Sequence, residues 1–157
     1  MTRTTVHRVT ARVLPVNAAG EVLLLHGWDP AAPDAPYWFS VGGASEPGET
    51  LAEAGARELL EETGVVIDAA ALGDPIAIET GVAFDWGEYH LVQDQSWFAV
   101  ALETGIEVHF RGLGPLEVGT IDEARWWTPD ALDADGSAAR DVLTGMMRRA
   151  VAAVLGR

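Results

Sequence analysis

The chain has 157 residues, 48% of them aliphatic or aromatic, enough for a single domain of ordinary size (1–157) with a sizeable core. It has no cysteine, which excludes disulfides and thiolate metal sites, and no signal-like or membrane-length apolar run; a soluble cytoplasmic protein without a membrane partner is the expectation. A net charge of −14, from 24 acidic and 10 basic residues, weighs against nucleic acid as a partner because its phosphates would be repelled, and with no lysine-rich run an anionic substrate would need metal ions for its approach.

From the N-terminus, Val6, Arg8, Thr10 and Arg12 alternate with His7, Val9, Ala11 and Val13, which predicts a half-buried strand. Asn17 to Gly20 reads as a turn, and Glu21 to His26, with its Val22-Leu23-Leu24-Leu25 run, as a buried strand pairing back in a hairpin. His7 is expected to face solvent, and His26, at the end of an apolar run, is open between substrate contact and structure. Three prolines and two aspartates make Gly27 to Pro36 a loop. Tyr37 to Val41 is a short strand running into Gly42-Gly43, where two glycines let the backbone turn sharply and approach a ligand.

The central stretch Gly43 to Val65 reads GASEPGETLAEAGARELLEETGV. Thr50 and Glu53 have capping-box spacing, so a helix starts near Leu51; Gly64 suits a left-handed closure, so it stops near Thr63. Glu58, Glu61 and Glu62 at i, i+3 and i+4 gather three carboxylates on one arc. The opposite arc, with Ala52, Ala56, Leu59, Leu60 and Thr63, is expected to face the core. Ala54 and Gly55, beside the acidic arc, would leave room for a bulky anion. Like charges at i, i+4 are mutually destabilising, and a hard cation would reverse that sign.

After the helix, Val65 to Ile67 can begin a strand and Ala69 to Asp74 a linker. Pro75 to Phe84 and His90 to Leu102 form an antiparallel pair about a turn at Asp85 to Glu88. Glu103 to Pro115 is a loop of the kind that covers sites. In Leu116 to Leu132, Arg125 to Thr128 is a short strand and Pro129 opens a short helix capped by Thr128. Ala138 to Leu155 is an amphipathic helix with Arg148 and Arg149 outward. Strands, an acidic helix, more strands and a terminal helix describe one mixed sheet between helices.

Gly43, Glu49, Arg57, Glu58, Leu59, Glu61, Glu62, Gly64 and Val65 occupy every fixed position of G-x5-E-x7-R-E-U-x-E-E-x-G-U, and the chain thereby resembles the Nudix hydrolases. The resemblance implies an α/β (α+β type) architecture, the Nudix α/β/α sandwich with a mixed central sheet. It also implies hydrolysis of a pyrophosphate linkage in a nucleoside diphosphate derivative or (d)NTP with Mg2+ or Mn2+. On this reading Glu58 and Glu62 are the main metal ligands, Glu61 assists, and the Gly43 carbonyl adds a ligand. Arg57 and Glu49 fasten loop to helix, and Gly42 and Gly64 support the site.

A general base can lie outside the signature; Glu117 is the first candidate, followed by Glu123, Glu107 and Glu103. Trp38, Arg111 and Trp126 are candidates for substrate contact, with core or loop support the more ordinary place for Trp38. Thr80 to Ala83 hold neither the proline of ADP-ribose hydrolases nor the tyrosine of dinucleoside polyphosphate hydrolases, which weakens both assignments. Many relatives are homodimers, and Trp86, Trp97, Trp126 and Trp127 would serve an interface as readily as a core. The alternatives are a non-catalytic nucleotide-derivative sensor, which would usually have lost the carboxylates, and an isopentenyl diphosphate isomerase, which would need a cysteine.

Overall fold

A computed structural model describes residues 2–115 and 117–157; Leu116, which begins the segment before the last strand, lies outside them, as does Met1. Its elements are β1 (Thr4–Val16), β2 (Val22–Gly27), β3 (Tyr37–Phe39), β4 (Val41–Ala44), α1 (Leu51–Thr63), a 3-10 turn (Ala69–Leu72), β5 (Ala77–Trp86), β6 (Tyr89–Ala101), β7 (Ile121–Trp127), α2 (Pro129–Asp135) and α3 (Leu143–Leu155). The seven strands form one mixed sheet in the order β3-β2-β1-β6-β5, with β4 also on β1 and β7 on β2. Among the described residues no helix is long and apolar enough to cross a membrane.

Period-two alternation sends neighbouring apolar residues to opposite faces. Ala11, Val13, Leu25, Phe98 and Val100 pack under α1 with Ala54 and Leu59. Leu14, Val16, Leu24 and Trp97 pack under α3 with Leu143, Met147 and Ala150. The expected mixed sheet between helices is therefore observed. The β5–β6 pair also forms as expected, around a tighter turn at Gly87 and Glu88.

Several expectations need correction. β1 and β2 are antiparallel but share only the Val16–Val22 register; the long partner of β1 is β6, parallel from Thr4–Tyr89 to Val16–Ala101. Adjacent strands predict a hairpin from local signals, whereas this parallel pairing is a long-range choice made by two buried faces. Val65 to Ile67 form no strand, and the 3-10 turn stands where a linker was expected. Tyr37 to Val41 divides at Ser40 into β3 and β4. The last helix begins at Leu143 rather than Ala138, because the chain around Ala138 bridges to Trp38 instead.

The core face of α1 is also rotated from the expected one. Ala54, Gly55, Glu58, Leu59, Glu62 and Thr63 are buried, while Leu60 is 45% exposed. Gly55 leaves no room for a ligand: a Cβ there would stand 3.0 Å from both Leu72 Cδ1 and Val13 Cγ2. Its smallness lets the helix lie flush on β1, and that close approach carries two glutamates inward with it.

Candidate active site

The signature helix is built as its sequence dictates. Thr50 Oγ1 accepts from the Glu53 amide at 3.1 Å and Glu53 Oε1 accepts from the Thr50 amide at 2.9 Å. Gly64 closes it at φ 78°, its amide donating to the Leu60 carbonyl. The position admits nothing larger, since a Cβ would collide with the His109 ring. The segment after β6 clamps this end. The His109 amide donates to the Thr63 carbonyl at 2.9 Å, and Ile106, Phe110 and Leu113 pack into the core under α1.

That clamp delivers Glu117 to the helix. Glu58, Glu62 and Glu117 bring one carboxylate oxygen each to within 4.8 Å of one another; Glu58 is 7% and Glu62 2% exposed. Glu62 Oε1 accepts from the Gly42 amide at 2.7 Å. Gly42 reaches that position at φ 148°, where any Cβ would meet the Ala11 carbonyl of β1. At Gly43 a Cβ would stand 2.5 Å from Glu58 Oε1. The paired glycines thus make a cradle in which the two buried carboxylates fit.

Burial pushes the Glu58 carboxyl up to about 7; Arg57 opposes this, and the charges of Glu61 and Glu117 add to it. Burial, then a hydrogen bond and charge from Glu117, then Glu58 push Glu62 well above the usual carboxylate range, against the Gly42 amide. Two unit charges about 4 Å apart repel by roughly 4 kcal/mol at an effective dielectric of about 20. A cation relieves that repulsion, and three hard oxygen donors suit Mg2+ or Mn2+.

Arg57 stands beside the trio. Its Nε and Nη2 meet Glu49 Oε2 and Oε1 at 2.8 and 3.0 Å, and Nη2 also donates to the Ala44 carbonyl at 2.9 Å. Its Nη1 reaches Glu58 Oε1 at 3.0 Å and Glu61 Oε2 at 3.1 Å. Glu61 lies on Arg57, outside the trio. Gly42, Gly43, Glu49, Arg57, Glu58, Glu61, Glu62 and Glu117 are therefore one neighbourhood, while Gly64 closes the helix against His109.

The other candidates have other surroundings. Trp38 is 5% exposed, 4.8 Å from the His26 ring, and the Arg125 guanidinium covers it at 5.1 Å. Trp126 is half-buried opposite Leu23. Arg111, Glu103 and Glu107 are in the clamp segment, Arg111 exposed. Glu123 pairs with Arg125 at 2.9 Å, and His26 Nδ1 lies 2.6 Å from Asp122 Oδ1.

Sequence reading missed Arg8, Arg12, Gln93 and Gln95, which gather on the far face of β1 and β6. Alternation alone assigns Arg8, Thr10 and Arg12 to a polar face. The long parallel partner that half-buries it gives no local signal.

An acid trio on a capped helix, cradled by paired glycines and mounted on a mixed sheet between helices, is a cluster of oxygen donors of the kind that holds a hard cation. Residues 6–145 match the family model described as NUDIX domain. The chain belongs to the Nudix family. It is similar to a protein of Erythrobacter litoralis (strain HTCC2594) named RNA pyrophosphohydrolase, at 33% identity over 137 residues, 80% of this chain and 79% of that one. In fold it is similar to a MutT protein from Methanosarcina mazei Go1, with a TM-score of 0.64 and 19% identity over 100% of this chain and 99% of that one. It is similar in the same way to a C. elegans Ap4A hydrolase in a binary complex, with a TM-score of 0.61 and 19% identity over 96% and 99%.

Proposed function

We propose that the chain hydrolyses the pyrophosphate linkage of a nucleoside diphosphate derivative or nucleoside triphosphate, with Mg2+ or Mn2+ as cofactor. The observation that carries this reading is the convergence of Glu58, Glu62 and Glu117. Glu58 and Glu62 would hold the metal, with the Gly43 carbonyl and Glu61 as the further donors that membership of the family suggests. The bound cation would neutralise the diphosphate and lower the pKa of a water.

The chain's own residues supply position and proton transfer. Arg57 holds the Glu58 and Glu61 carboxylates in place, and the Gly42 amide orients Glu62. Glu117 brings a carboxylate oxygen to within 4.8 Å of those of Glu58 and Glu62. Glu117 is thus placed to take, on a carboxylate oxygen, the proton that an attacking water gives up.

The Erythrobacter relative's name brings an RNA with a pyrophosphate linkage into the set of substrates to test. The net charge of −14 weighs toward small molecules, and we read the setting as cytoplasmic and the chain as one domain. The test is a panel of nucleoside di- and triphosphate derivatives plus such an RNA, incubated with Mg2+ and followed by phosphate or pyrophosphate release. Turnover of at least one class, abolished by EDTA, is expected; tight binding of a compound with no turnover of any would sink the proposal.

A further inference from the structure

Arg8 and Arg12 are left unused by this chemistry, and their surroundings are unusual. They flank the fully buried Thr10 on one face of β1, and both are half-buried. Arg8 gives Nε and Nη2 to Gln93 Oε1 at 3.1 and 2.6 Å. Arg12 gives Nε to Gln95 Oε1 at 2.9 Å and Nη1 to the Ser40 carbonyl at 3.5 Å. All of these acceptors are neutral. Among the described residues neither guanidinium forms an ion pair, although the chain carries 14 more acidic than basic residues.

The glutamines form a fixed floor. They are 2% and 3% exposed, and Gln93 Nε2 donates to Gln95 Oε1 at 2.8 Å. Gln95 Nε2 continues to Glu79 Oε1 at 3.3 Å, and Glu79 is engaged by Arg140 at 2.9 Å. The one carboxylate in this network already has its cation. Burial pushes Arg12 and Arg8 below the ordinary arginine value, and the charge of Arg8 adds to the effect at Arg12. Taking a charge out of water without a counter-ion is unfavourable.

The pair also lies next to the acid trio. Arg12 stands opposite Gly42 in the β1–β4 register, and the Gly42 amide holds Glu62. Glu62 and Glu58 act on Arg12, and Glu58 and Glu117 on Arg8, through their charge without an ion pair. An anion held by these guanidiniums would supply the counter-ion they lack, within reach of the charge of the acid trio. Guanidinium forks match phosphate oxygens in geometry as well as charge.

We propose that Arg8 and Arg12, on the floor of Gln93 and Gln95, form an anion subsite that receives a phosphate group of the substrate next to the one at the acid trio. This rests on the hydrolase reading for its place in catalysis, but its anion binding can be tested without metal or turnover. The full chain is titrated with inorganic pyrophosphate in EDTA, by calorimetry and by thermal unfolding, as wild type, Arg8→Gln, Arg12→Gln and Arg12→Lys.

Wild type is expected to bind pyrophosphate saturably and to be stabilised by it. Arg8→Gln and Arg12→Gln should each weaken binding by about tenfold or more, the loss of one charge-assisted contact, and Arg12→Lys should lie between. The ligand-free Tm of Arg8→Gln should equal or exceed that of wild type, because an uncompensated charge has been removed. No pyrophosphate binding by wild type, or a lower ligand-free Tm in Arg8→Gln with undiminished affinity, would overturn the proposal in favour of a purely structural pair. If Arg12→Gln does not fold, Arg8→Gln carries the test. Because EDTA removes the metal, failure here leaves the hydrolase proposal standing, and absence of turnover leaves the subsite standing.

Discussion

Arg57 grips Glu49 with two prongs, at 2.8 and 3.0 Å, and the same guanidinium ties the Ala44 carbonyl of β4 to Glu58 of α1. Helix, loop and glycine turn are thus joined at one side chain. Arg57→Ala should lower stability by about 2–3 kcal/mol, since it strands two poorly solvated carboxylates. Arg57→Lys should recover little, because an ammonium cannot fork. Urea unfolding of the three proteins measures both.

The pair has a pH signature. The hydrogen bonds from Arg57 hold Glu49 below its ordinary value of 4.5. A carboxylate with a depressed folded-state pKa contributes stability that is present above the unfolded value and lost as pH falls through the folded one. Glu49→Gln should therefore flatten the loss of stability below about 4.5, read from unfolding midpoints across the acid range.

The acid trio has the opposite signature. Glu58 is raised from 4.5 to about 7, and burial raises Glu62 in the same sense, well above 4.5. The folded state then binds more protons than the unfolded one, so these groups make metal-free stability fall as pH rises from about 4.5 through 7. In EDTA the Tm should drop across that window. Saturating Mg2+ should cancel the drop by mass action on the folded state, and an identical pH profile with and without Mg2+ would contradict the assignment.

Gly43→Ala inserts a methyl group 2.5 Å from Glu58 Oε1, so the carboxylate must move. A displacement of about 1 Å at a reacting centre can cost on the order of a hundredfold in rate. We expect kcat to fall by about that factor while the urea midpoint changes little.

The limits of the helix were legible because capping is local chemistry: Thr50, Glu53 and Gly64 act within one turn of themselves, and Thr50→Ala should accordingly cost about 1 kcal/mol. Glu58 and Glu62 were legible from helical spacing together with the family signature. The rotation of the buried arc was not, because it depends on Gly55 lying against Val13 and Leu72, contacts between distant segments. The half-buried face of Arg8 and Arg12 was hidden for the same reason, since β6 reaches β1 only through the folded sheet. Glu117 could be named from the sequence as a carboxylate before an aromatic strand. Its arrival beside Glu62 is set by the clamp at His109, which no local pattern announces.

The most direct measurement is turnover against Mg2+ concentration for wild type, Glu62→Gln and Glu117→Gln, on whichever nucleotide derivative the wild type hydrolyses. Glu62→Gln should shift the curve to higher Mg2+. Glu117→Gln should lower kcat by about 10²-fold or more at saturating Mg2+, the scale of a positioned general base. Wild-type turnover that persists in EDTA, or a Glu117→Gln protein as fast as wild type, would contradict the account.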